Sequence, residues 1–118
     1  MSGGRIQTQW MSLPVDRVLR LDLNTKQWSK EPNLNQGRYL HSSCALSDTI
    51  FVFCGLTSNN TTPCNSIERL EVTDTNSESR QWQILKPAVS KFPVRFACKS
   101  IALNATEILI FGGMTDKE

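Results

Sequence analysis

The sequence is poor in the residues that do chemistry. It has one histidine, His41, and no GxSxG turn to present a nucleophile. Ser42 is that histidine's neighbour, and neighbours on a strand point to opposite faces, so the two do not make a hydrolytic pair. No apolar run approaches the ~20 residues that span a bilayer, and the opening MSGGRIQTQW has no apolar secretory core. The expectation is a cytoplasmic chain with no membrane role. Cys44, Cys54, Cys64 and Cys98 include no CxxC pair, which argues against a zinc site. Without an export signal they are read as reduced thiols, and the sequons at Asn59, Asn60 and Asn104 carry no weight. A formal net charge of +2 with both signs well mixed lacks the one-faced basic cluster of a nucleic-acid module. No GxxxxGK[ST] loop is present to cradle a phosphate. No catalytic residue, cofactor or metal is expected, and the chain reads as a binding module before it reads as an enzyme.

What the chain does have is repetition. RYLHSSCALSDTIFVFCG, from Arg38, is echoed by RFACKSIALNATEILIFGG, from Arg95, with Tyr39 on Phe96 and Ile50–Phe53 on Ile108–Phe111 after one extra turn residue. VLRLDLNTKQW, from Val18, is echoed by IERLEVTDTNSESRQW, from Ile67, with Leu21 on Leu70 and Gln27-Trp28 on Gln81-Trp82. The periodicity is that of strands. Leu19, Leu21 and Leu23 alternate with Arg20 and Asp22, the pattern of a half-buried strand. IFVF and ILIF are continuously apolar, the pattern of strands covered on both faces. Loops fall at the Pro, Gly and Asn clusters, and no segment has a convincing amphipathic helical period. An all-β fold follows. Glycine at the end of each apolar strand (Gly55, and Gly112-Gly113) lets the backbone leave the sheet with φ > 0.

This arrangement resembles the kelch repeat, a four-stranded antiparallel blade of a β-propeller. Arg38, His41 and Ser42 match the family's first strand, Gly112-Gly113 its glycine pair, and Asp22, Trp28 and Trp82 its later strands. Cys54-Gly55 departs from the glycine pair by one residue. The two tryptophans stand 54 positions apart, near the roughly 50 residues of one kelch blade. The resemblance divides the chain into residues 1–30 as the third and fourth strands of a first blade, 31–86 as a complete blade, and 87–118 as the first two strands of another. Met1 to Gly4 is either the end of a further second strand or a terminal addition. About two blades of sequence cannot close a propeller. Two readings stay open: part of a longer chain, or copies joined head to tail, each completing the next one's half-blade.

The resemblance implies a protein-interaction scaffold that binds a polypeptide through its loop face and channel edge. The alternative is part of a propeller enzyme acting on a sugar-like small molecule. Arg38 and Arg95 stand just before first strands, beside the expected channel. Their guanidinium groups would either pair with a partner's carboxylates or tie adjacent blades through carbonyls and a neighbouring acid. Trp28 and Trp82 are expected in the core between blades, and His41 as a hydrogen-bonding residue within one. Trp10, which no repeat explains, is a candidate contact. So are Asn59, Asn60 and Lys91 on the loops, which are polar and mildly basic.

Overall fold

The structure, a computed structural model, describes residues 2–7, 12–57, 64, 66–72, 80–85 and 96–114. Among these there is no helix, and all pairing is antiparallel. Three sheets follow one another along the chain. The first has the order β1 (Ser2–Gln7), β2 (Ser12–Asp22), β3 (Gln27–Glu31). The second has β4 (Ser42–Leu46), β5 (Thr49–Phe53), β6 (Ile67–Glu71), β7 (Gln83–Leu85). The third is the hairpin of β8 (Lys99–Ala102) and β9 (Ile108–Phe111).

The repeat is visible in the register. Leu21 lies opposite Trp28 in the first sheet. In the second, Arg69 lies opposite Gln83, which carries Leu70 to the level of Trp82. Within residues 1–30 a strand, β1, precedes β2 and β3 and pairs with β2 from Ser2 onward, with a register shift between Ser2 and Gly4. The place beside β2 that a second copy's strand would fill in the head-to-tail reading is taken by β1. Residues 31–86 hold the four-stranded sheet, and 87–118 hold the hairpin β8–β9.

Strand alternation decides which side chains meet. On β5, Ile50 and Val52 turn towards the first sheet and join Val18, Leu34, Leu70 and Trp82 in one apolar cluster. Phe51 and Phe53 turn the other way, into a second cluster with Cys54, Cys98, Ile108 and Ile110. IFVF is thus sandwiched as its composition implied, and burial of Phe53 alone is worth about 1.5–3 kcal/mol. ILIF is not. Ile108 and Ile110 face the second sheet, whereas Leu109 and Phe111 are 45% and 48% exposed. The leucine alternation of β2 also needs correction. Val18 is the residue that enters the core, while Leu19, Leu21 and Leu23 lie on the open side of the first sheet.

Backbone bonds tie the sheets together. Arg38 N donates to Val15 O at 3.1 Å, Leu34 N to Asp16 O at 2.7 Å, and Ala97 N to Leu40 O at 2.7 Å. Ser42 and Ser100 share a hydroxyl hydrogen bond of 2.8 Å between β4 and β8. The glycine that ends each apolar strand has a steric reason as well as a conformational one. At Gly55 (φ +95°) a Cβ would stand 2.7 Å from Tyr39 O, and at Gly113 (φ +89°) 2.6 Å from Phe96 O. The preceding position is roomier in conformation than the sequence suggests, since Cys54 adopts φ 65° there with its side chain fully buried.

Candidate functional site

Arg38 anchors the most elaborate polar centre among the described residues. The chain enters the second sheet through the loop Pro32–Gly37, and Arg38 follows immediately, its side chain 0% exposed. Five contacts occupy its five N–H donors. Nε donates to Gln36 O (3.3 Å), Nη1 to Cys54 O (3.4 Å) and Ser66 O (3.0 Å), and Nη2 to Ser66 Oγ (3.0 Å) and Glu68 Oε2 (2.8 Å). Glu68, on β6, is equally buried. Its Oε1 accepts from Asn35 N (2.7 Å) and Asn35 Nδ2 (3.2 Å), and its Oε2 also accepts from Gln36 N (2.9 Å). A buried ion pair holds together only when its remaining donors and lone pairs are satisfied, and here the loop backbone, Ser66 and Asn35 do so.

This corrects the reading of Arg38 as a docking group. A guanidinium with every donor spent inside the fold and no exposed surface cannot fork onto a partner's carboxylate. Its side chain joins the entry loop, the end of β5 and the third strand of one sheet, through carbonyls and an acid as the structural alternative had it, but within that sheet and not between two. The other proposed contacts, Arg95, Trp10, Asn59, Asn60 and Lys91, lie outside the described residues.

Glu68 was the functional partner missed in the sequence, although a signal existed. In IERLEV it shares the parity of Leu70, on the inward face, and the first copy has Leu19 at that position. An acid replacing a leucine on a buried face calls for a buried cation.

The tryptophans part company. Trp82 is 5% exposed, packs on Leu70 and Val52, and donates its indole N–H to Pro32 O at 2.9 Å. Trp28, expected in the core, is 61% exposed. It sits on the face of the first sheet turned away from the second, with Leu19 and Leu21. Nothing among the described residues covers that face. At the other end of the stack, Ile101, Leu109 and Phe111 form a second open apolar face on the hairpin β8–β9. Each open face matches, through the repeat, a covered one. Leu21 and Trp28 correspond to Leu70 and Trp82, and Leu109 and Phe111 to Phe51 and Phe53.

Between the first two sheets lies a cleft of about 710 Å³. Its floor is the Val18–Leu70–Trp82 cluster, and its rim carries Arg20, Glu31 and Arg80, with His41 and Ser43 on β4 and its lead-in. Glu31 takes both guanidinium groups: Arg80 Nη1 at 3.0 and 3.1 Å, and Arg20 Nε at 3.2 Å. His41 and Ser43 line this cleft together, but no group of three His, Cys, Asp or Glu side chains able to hold a metal occurs among the described residues. Nor is any helix there long and apolar enough to cross a membrane.

No protein-family model matches the chain. Its shape does have a solved counterpart. A structure described as "Structure of YjhT" superposes with a TM-score of 0.68 over 83% of this chain, at 20% sequence identity. The fold is shared. The likeness is one of architecture, an all-β succession of antiparallel sheets like part of a propeller. This chain spans 27% of the length of that structure, about a quarter.

Proposed function

We propose that the chain is a kelch-type propeller segment that works as a protein-interaction scaffold, engaging polypeptide through its loop face and its end sheets. The observation that carries the reading is the pair of open apolar faces, Leu21 with Trp28 at one end and Ile101, Leu109 and Phe111 at the other. Each is the repeat equivalent of a face that is buried one sheet further in. A contiguous apolar face on a protein surface marks a contact. Here the fitting occupant is another sheet of the same kind, because the two interfaces within the chain are built from those same positions. Such contacts are head to tail, the front of one stack meeting the back of another. Because β1 already occupies the place beside β2, association runs face to face and not by strand insertion.

Light scattering tests this with two variants. Trp28→Asp and Phe111→Asp each charge one open face without touching the described core. The unmodified chain should show a mass that rises with concentration, and each variant alone should be monomeric. An equimolar mixture should form a dimer, since one good front face and one good back face remain. A chain that stays monomeric at high micromolar concentration, or a mixture that does not pair, overturns the reading. The alternative, part of a propeller enzyme acting on a sugar-like molecule, would need a cavity rich in hydrogen-bonding groups. The floor of the inter-sheet cleft is apolar.

A further inference from the structure

The cleft between the first and second sheets has a chemical polarity that the scaffold reading does not use. Its volume of about 710 Å³ lies within the roughly 300–1,000 Å³ of small-molecule sites. Val18, Leu70 and Trp82 make its floor. Trp82 has the one polar atom of its side chain committed to Pro32 O, so that side chain offers the cleft only apolar ring surface. The rim has the opposite character. Glu31 is the only acid among the described lining residues, and it meets two arginines. Arg80 and Glu31 are nearly buried, with side chains 9% and 6% exposed, and form the fixed part of the rim. Arg20 is 51% exposed. Its contacts with Ser29 Oγ (3.1 Å) and Glu31 both use Nε, leaving Nη1 and Nη2 without a partner among the described residues.

We infer that this cleft binds a small apolar monocarboxylate, an aryl or alkyl body with one anionic end. The body lies on Leu70, Val18 and the ring of Trp82, where it is removed from water. The carboxylate meets the terminal nitrogens of Arg20, whose parallel donors match its two oxygens. One negative charge matches the one guanidinium whose terminal nitrogens have no partner among the described residues. A doubly charged phosphate would overshoot that balance, and a neutral sugar would leave Arg20 unused and its own hydroxyls facing an apolar floor. The inference is independent of what covers the end sheets.

The test uses an isosteric pair, 3-phenylpropionate and 3-phenylpropanamide, titrated into the chain and its Arg20→Gln variant. Binding is read by calorimetry and by nuclear magnetic resonance shifts of the Trp82 indole N–H and the Leu70 and Val72 amides. The acid should bind about tenfold more tightly than the amide, the effect of one charge-assisted contact. Arg20→Gln should erase that preference and leave the amide's affinity unchanged. Arg20 is half exposed and outside both apolar clusters, so the variant should fold, which the unshifted remainder of the spectrum reports. Equal affinity for acid and amide, no binding of either at millimolar concentration, or shifts lying outside the cleft would each overturn the inference.

Discussion

Trp28 and Trp82 occupy the same place in two consecutive sheets, each level with a leucine of the neighbouring strand, yet one is 61% exposed and the other 5%. The difference is not in the strands. It comes from what stands in front of them: Trp82 has the first sheet as a neighbour, and Trp28 has nothing among the described residues. The same contrast separates Phe53, 1% exposed, from Phe111, 48% exposed. A repeated sequence therefore fixes what each position offers, and the position's place in the stack decides whether the offer is taken up. The buried polar centre differs in kind, because Glu68 has no counterpart in the first sheet, where the repeat places Leu19.

Grafting the first sheet's residue onto the second is the strongest way to break the comparison. Glu68→Leu should cost about 3–5 kcal/mol, because Arg38 would stay buried with its charge uncompensated. Urea unfolding monitored by circular dichroism measures it, and a loss under 1 kcal/mol would mean that Arg38 escapes to solvent. Next come the tryptophans. Trp82→Ala should cost about 3–5 kcal/mol for the emptied core site, and Trp28→Ala no more than about 1 kcal/mol in the monomer. Equal losses would show that Trp28 is covered in solution. The mildest contrast lies within one dipeptide. Both glycines have φ > 0, but a Cβ at Gly112 meets nothing within 4 Å, whereas at Gly113 it meets the Phe96 carbonyl at 2.6 Å. Gly112→Ala should cost about 1–2 kcal/mol for the left-handed backbone alone, and Gly113→Ala distinctly more. Thermal melts of the two variants check the order.

Much of this fold was legible from local pattern. Alternation located β2 and β6, unbroken apolar runs located β5 and β9, and the echoed segments showed the repeat, whose length the Trp28–Trp82 spacing matches. Those features depend on neighbours in the chain. The misreadings depend on neighbours in space. Leu19, Leu21 and Leu23 alternate as a core-facing strand should, and alternation cannot say that the core lies on the Val18 side. Arg38 looked like a channel-edge contact because its partner is 30 residues away. The cleft was illegible for the same reason, since Arg20, Glu31 and Arg80 come from three separate segments that only the stacking of sheets brings together.

The way the sheets are joined has a consequence for how the molecule opens. The first and second sheets are fastened at two levels, by backbone bonds beside Val15 and Asp16 and by the Arg80–Glu31 pair further along. Among the described residues, the polar fastenings of the hairpin β8–β9 and its lead-in run along one line, through Ala97 with Leu40 and Ser100 with Ser42 and Ser43. A leaf bound along a single seam can lift without unfolding its neighbour, and such sub-global openings set the protection of individual amides. Deuterium should enter the amides of Ile108–Phe111 well before those of Thr49–Phe53, although the two strands are copies of each other.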